Sequence, residues 1–146
     1  MLLSQILHRN GIDSIVLERQ TREYVLQRIR AGVLEWGSVE VLRSAGIGER
    51  MDREGHLHDG TDIVWAGSRH CQINTRKHTG KPMMAYGQTA ITEDLYAARD
   101  AMGGQIIDEA ADVAIHDIAR DSPYVTYAKN GETHRIDCCL LYTSDA

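Results

Sequence analysis

The chain has no phenylalanine, and tyrosine and tryptophan together supply only 5% of its 146 residues. A core must therefore rest on leucine, isoleucine, valine and alanine, and 42% hydrophobic residues is enough for one domain of this length. Three cysteines, an odd number without framework spacing, exclude a disulfide scaffold and suit a reducing, cytoplasmic compartment. Only two prolines occur, and no linker, repeat or low-complexity tract interrupts the chain. No apolar run reaches bilayer-spanning length, so a membrane span is not expected, and the first residues lack the charged-then-apolar order of a secretory signal. A formal charge of −5 without any basic cluster argues against a nucleic-acid surface. Two kinds of site chemistry are missing as well. His56, His58, His70, His78 and Cys71 do not fall into zinc-ligand spacing. Gly46-Ile47-Gly48 and Gly67-Ser68 lack the flanking pattern of a nucleophile elbow. Neither a metal site nor a catalytic nucleophile is assigned.

What is present begins with a fold signal. Leu2, Leu3, Ile6 and Leu7 repeat at helical spacing, and Gly11 stands where a glycine ends a helix. Ser14-Ile15-Val16-Leu17-Glu18 follows, a short β-branched run closed by a carboxylate. Helix, turn, strand and terminal acid form the second half of a dinucleotide-binding βαβ unit, whose acid lies about 20 residues after a glycine-rich turn and hydrogen-bonds a ribose. Counting back from Glu18 puts that turn upstream of Met1, so the first strand and its glycine loop are expected to be missing from this chain.

Further along, Val33 to Ser44 has helical spacing and Ala45-Gly46 stops it, with a short charged helix expected from Ile47 to Arg53. Residues 57–65 and 70–75 read as strands of a hairpin turning at Ala66-Gly67-Ser68. Pro82 to Tyr86 is extended, and Thr92 is placed to cap a helix presenting Leu95, Ala98 and Met102 before Gly103-Gly104. Four strand-like runs follow at 105–107, 111–118, 124–128 and 134–137, the last two joined by Asn130-Gly131, a strong hairpin signal. The fold class is mixed α/β. Cys139 to Ala146 resembles the in-frame translation of a sequencing adapter, which would leave 1–138 as the folded part and 139–146 as a non-native tail. A natural terminal strand over Leu140 to Thr143 is the other reading.

Several polar residues suit a nucleotide. Ionised Glu18 only accepts hydrogen bonds, which fits a ribose diol, although a solvated strand-end acid looks the same. Arg28 and Arg30 lie two apart, so in an extended segment their guanidinium forks share a side and suit a diphosphate; a salt-bridged surface pair has the same spacing. Ala31-Gly32 lets backbone approach a flat ring closely. Gln88, after Gly87, can donate to and accept from cofactor groups or cap the following helix, a role for which Thr89 competes.

Three segments then combine: Leu17-Glu-Arg-Gln-Thr21, Gln27-Arg-Ile-Arg-Ala-Gly-Val-Leu-Glu35 and Tyr86-Gly-Gln-Thr89. In order and approximate spacing the chain resembles the flavoprotein aromatic hydroxylases from Met1 to about Cys138. The resemblance implies a partial FAD-binding, Rossmann-like domain carrying an antiparallel strand insertion. It implies that Glu18 meets the ribose, that Arg28, Ile29, Arg30, Ala31, Gly32 and Val33 lie along the flavin and its phosphates, and that Gln88 contacts the flavin cofactor. Arg19, Gln20 and Tyr24 fall where the family discriminates NADPH, the cation and phenol suiting its 2′-phosphate; an exposed polar helix start is the plainer reading. The full-length protein would hydroxylate a small phenolic acid of the 4-hydroxybenzoate type with O2, and a homodimer is compatible with it. The isolated chain is expected to be inactive, since without the first strand and glycine loop the helix N-terminus that would hold the pyrophosphate is unformed. Two alternatives stay open: a hydroxylase of the same family acting on another phenol, and an intact, non-catalytic nucleotide-binding or protein-interaction module.

Overall fold

In the computed structural model, which describes residues 1–28 and 30–143, the elements run α1 (Leu2–Arg9), β1 (Ile15–Leu17), α2 (Arg22–Gln27), β2 (Val33–Leu34), α3 (Trp36–Ser44), α4 (Glu49–Glu54), β3 (His56–His58) and β4 (Gly60–Trp65). They continue through β5 (Arg69–Asn74), α5 (Thr75–Thr79), β6 (Met83–Ala85), α6 (Gln88–Ala101), β7 (Gln105–Ile107), β8 (Ala111–His116), β9 (Tyr124–Lys129) and β10 (Glu132–Asp137). The fold is mixed α/β with antiparallel sheets, as the sequence implies. The chain divides into two units, Met1–Ile15 with Leu26–Gln105, and Val16–Val25 with Ile106–Ala146.

In the first unit, α1 forms where its spacing predicts, and Gly11 closes it at φ +73°. The face it buries is polar rather than apolar. Ser4 and Gln5 are buried, whereas Leu3 is 41% exposed. The Gln5 Nε2 amide donates to the Ala45 carbonyl at 3.2 Å, and the Ser4 and Ser14 hydroxyls share a 2.7 Å hydrogen bond. Leu2 and Ile6 flank this seam and pack on a core of Val39, Leu42, Ala45, Ile47, Met51, Met84, Tyr86 and Leu95. Arg99 of α6 is buried too, its Nη1 donating to the Ser4 carbonyl at 3.4 Å and its guanidinium lying against Gly104.

Three expectations need correction here. Val33 and Leu34 do not open a helix: they form β2, which pairs antiparallel with β6 (Val33 with Ala85, Leu34 with Met84). Glu35 is still extended (φ −69°, ψ 153°), and α3 starts only after it. The run 57–65 is two strands. β3 joins β6 in a three-stranded sheet of order β2-β6-β3, while β4 leaves it to pair with β5 in a separate hairpin. Thr92 is not a cap, because α6 begins at Gln88 with Gly87 as its N-cap, and the Thr92 hydroxyl donates to the Gln88 carbonyl one turn back at 2.9 Å. The short α5 was not anticipated. It is capped by the Asn74 side chain, which accepts from the Lys77 N–H at 2.7 Å, and ended by Gly80 at φ +74°.

In the second unit, β1 pairs with β7. The Glu18 N–H donates to the Ile107 carbonyl, and the Ala110 N–H to the Glu18 carbonyl, each at 2.9 Å. The three-stranded sheet β10-β9-β8 is antiparallel throughout and buries Val125 and Tyr127. Lys129 faces Glu132 across the two-residue turn Asn130-Gly131, both in the left-handed region at φ +52° and +81°. Beyond β10, residues 138–143 carry neither helix nor strand. The remainder of the expected tail, residues 144–146, lies outside the described residues. Among the described residues no helix is long and apolar enough to cross a membrane.

The turn generates one prediction. Replacing Gly131 by valine forces a β-branched residue into the left-handed region, so unfolding should cost about 1–2 kcal/mol less, read as a lower urea midpoint at unchanged slope. An unchanged midpoint would show that the turn does not set the β9–β10 register.

Candidate functional site

The predicted site residues fall in both units. In the second, Glu18 stands just past β1, half-buried, with its backbone tied on both sides to the 107–110 segment. Its Oε1 accepts the Gln20 N–H at 2.8 Å, which curls the chain at the strand end and fixes the carboxylate. Thr21 then starts α2: its hydroxyl accepts the Tyr24 N–H at 3.1 Å, and its carbonyl the Val25 N–H at 3.1 Å. Arg19 and Tyr24 are exposed and Gln20 is half-buried, so all three are presented on one tight turn and the first helical turn after it. The exposed polar helix start weighed for this stretch is thus present, and Glu23 in its first turn is a usable start signal.

In the first unit, Arg28 and Arg30 are exposed and belong to no helix or strand; Ile29 between them lies outside the described residues. Ala31 is exposed, and Val33 is 52% exposed on β2. Gly32 is held tightly. Its carbonyl accepts the Tyr86 N–H at 2.7 Å, and a Cβ added to it would lie 2.7 Å from both the Gly87 Cα and the Tyr86 carbonyl oxygen. The missing side chain at 32 is thus required by the protein's own backbone. Gln88, half-buried, is the first residue of the 14-residue α6. Its N-cap, Gly87, makes no side-chain cap hydrogen bond and has open space where a Cβ would stand. The structure therefore brings the 30–33 loop and the 87–88 helix start together through Gly32.

Behind Gly87 lies a network that sequence reasoning missed. The buried Tyr86 hydroxyl donates to Asp94 Oδ2 at 2.7 Å. Asp94 Oδ1 accepts from Arg50 Nη1 at 3.2 Å, and Arg50 also reaches Glu93 and Glu54 at 2.9 Å each. Burial pushes the Tyr86 phenol well above the ordinary tyrosine range, and its bond to the Asp94 carboxylate adds to this. The carboxylates of Glu93, Glu54 and Asp94 hold the Arg50 guanidinium above its usual value, and Arg50 in turn holds Glu54 below the usual carboxylate range. The signal available beforehand was the Tyr86–Asp94 separation of eight residues across a helix start, which no local pattern singles out.

The histidines of the β3–β5 region are dispersed. His58 Nδ1 lies 3.0 Å from the Gly60 carbonyl, and His70 pairs with Asp62 across the hairpin at 3.1 Å. Among the described residues no three histidine, cysteine or acidic side chains gather as a metal site would require.

A family described as FAD binding domain matches residues 1–145. The chain is 37% identical over 145 residues to p-hydroxybenzoate hydroxylase of Acinetobacter baylyi, covering 99% of this chain and 36% of that protein. It is thus similar to a protein of which it spans about a third. Among solved structures, it superposes on p-nitrophenol 4-monooxygenase from Pseudomonas putida with a TM-score of 0.75 at 11% identity, covering 93% of this chain and 35% of that one. The tetrameric form of 2-methyl-3-hydroxypyridine-5-carboxylic acid oxygenase gives a TM-score of 0.70 at 17% identity, covering 91% and 33%. These two structures speak to the fold alone.

Two outcomes follow from this geometry. Gly32→Ala presses a methyl group into immovable backbone and should cost about 1–3 kcal/mol, measured by urea unfolding; a neutral substitution would mean that the β2–β6 contact relaxes freely. The second concerns pH. Below about pH 10, Tyr86 is neutral in both the folded and unfolded chain. Above that, the unfolded chain ionises first, so the raised folded value makes stability fall as pH rises. The melting temperature should therefore fall more steeply between about pH 9.5 and 11.5 in the parent than in Tyr86→Phe; parallel curves would refute the assignment.

Proposed function

The chain belongs to the FAD binding domain family, among the flavoprotein aromatic hydroxylases, and from that premise we propose that it is the cofactor-binding part of a 4-hydroxybenzoate 3-monooxygenase-type enzyme. The observation that carries this reading is the identity to p-hydroxybenzoate hydroxylase, which extends over 99% of the chain. In this reading the full-length protein uses FAD, NADPH and O2 to hydroxylate a phenolic acid ortho to its hydroxyl, and works in the cytoplasm.

The donor set fits the cofactor. Glu18 is a fixed, half-buried carboxylate whose remaining lone pairs can accept from a ribose diol. Arg28 and Arg30 are exposed cations for the diphosphate, at a point where the chain is not committed to a helix or strand. The first N–H groups of α6 have no intrahelical acceptor and no side-chain cap, so with the Gln88 amide they offer donors to the carbonyl and ring-nitrogen edge of the flavin. Ala31, Gly32 and Val33 line the approach of that ring. Arg19, Gln20 and Tyr24 select the nicotinamide donor through its 2′-phosphate. When bound, FAD would supply the redox chemistry between NADPH and O2, and these residues would hold and position it. No residue of this chain is assigned to proton transfer or to the phenol, which is why the isolated chain is expected to give no turnover.

FAD titration of the purified chain, followed by flavin fluorescence, tests the proposal. Glu18→Gln and Gln88→Ala should each weaken binding about tenfold, one charge-assisted or well-placed hydrogen bond each. In the full-length enzyme, Arg19→Ala should raise the KM for NADPH with kcat nearly unchanged. A chain that ignores FAD, or a full-length protein that consumes no NADPH with 4-hydroxybenzoate, would remove the proposal.

A further inference from the structure

We propose that Tyr86 is a positioning residue for the cofactor, its backbone holding the 30–33 loop while its hydroxyl, through Asp94 and Arg50, sets where α6 and Gln88 begin. The inference rests on the FAD reading above and adds residues to which no role has been given. Tyr86 acts at two ends. At the main chain, its N–H donates to the Gly32 carbonyl at 2.7 Å, and the Tyr86-Gly87 backbone lies flush against Gly32. At the side chain, the residue is 6% exposed in the core, and its hydroxyl reaches Asp94 on α6 at 2.7 Å.

Asp94 lies about two turns into the helix that Gly87 starts. A hydrogen bond from residue 86 to residue 94 therefore fixes the rotation of that helix relative to the strand feeding it. Without it, the Gly87 hinge, with open space where a side chain would stand, can let α6 turn about its axis. Arg50 holds the other carboxylate oxygen of Asp94, at 3.2 Å, and is itself anchored to Glu54 one helical turn away on α4. The aspartate is thus oriented from both sides, and its side chain is only 16% exposed, so the hydroxyl has little competition from water. The 30–33 loop and the Gln88 amide are two separate predicted contacts to one flavin, and Tyr86 is the residue bonded to both parts of the scaffold that carry them. The phenol stays a donor at neutral pH, because burial and the neighbouring carboxylate oppose its ionisation.

The test compares the parent chain with Tyr86→Phe, which keeps the ring, with Asp94→Asn, which keeps an acceptor but loses the charge, and with Val39→Ala, a core truncation outside the network. FAD dissociation constants and site-resolved amide exchange are measured on all four. Tyr86→Phe should raise the dissociation constant about tenfold and Asp94→Asn about threefold, as expected for loss or weakening of one hydrogen bond to a charged group. The amide of residue 86 should exchange about tenfold faster relative to that of Val125, a buried amide of the other unit. Val39→Ala should lower the melting temperature at least as much yet leave FAD affinity within about twofold. If Tyr86→Phe and Val39→Ala shift affinity and exchange alike, or Tyr86→Phe shifts neither, the positioning role is overturned and the FAD reading stands. If Tyr86→Phe does not fold, Asp94→Asn carries the same comparison. If the parent chain does not bind FAD, the cofactor reading fails, and exchange alone decides whether residue 86 holds the loop and helix together.

Discussion

The first unit turns on a single missing side chain. Strand β2 can lie against the 85–87 segment only because residue 32 ends at its Cα, close enough that any Cβ would meet the Tyr86 carbonyl and the Gly87 Cα. From that approach follow the pairing of Val33 and Leu34 with β6, the shared use of β6 by β2 and β3, and the burial of Met84 and Tyr86 beneath α3 and α4. The same contact delivers two chain segments that are distant in sequence, one rich in arginine and one opening a helix, to neighbouring positions. The relative placement of these two segments is therefore set by backbone packing, which is stiff, rather than by side-chain contacts.

The seam between α1 and α6 is built on the opposite principle. Where an apolar stripe is usual, it buries Ser4, Gln5 and the Arg99 guanidinium. Gln5 donates to the Ala45 carbonyl and Arg99 to the Ser4 carbonyl, yet among the described residues Gln5 Oε1 and Arg99 Nε have no partner. A buried polar atom left without one costs about 1–3 kcal/mol. The seam therefore carries a cost in stability that the aliphatic cluster around Val39 and Met51 has to offset.

Much of this was legible in the chain. Helix α1, strand β1, the β4–β5 hairpin, the β9–β10 turn and the mixed α/β class all follow from periodicity and turn chemistry, because each is decided within a few residues. The misread places were decided elsewhere. Val33 and Leu34 have spacing that suits the helix after them, and only pairing with β6, about fifty residues on, makes them a strand. The run 57–65 looks continuous, but its two halves belong to different sheets, a matter of partners rather than propensity. Thr92 resembles a cap, and is one turn too late because an uncapped glycine begins the helix. For the candidate site, Glu18, Gly32 and Gln88 could be proposed from residue type and neighbours, and what the structure adds is how each is held. The Tyr86–Asp94–Arg50 chain could not, since its members come from three elements and none is unusual alone.

Both units are assembled from separated stretches, and this bears on synthesis. Strand β1 is complete once residue 17 is made, but its partner β7 is not complete until residue 107. At ordinary elongation rates of about 5–20 residues per second, that leaves β1 unpaired for roughly 5–20 seconds. During that interval Met1–Ile15 can already find its companions in 26–105, while Val16–Val25 must wait. Until residues 105–107 arrive the nascent chain carries a strand edge in reserve, and the pace of synthesis across that interval governs whether the edge meets β7 or a neighbour's strand.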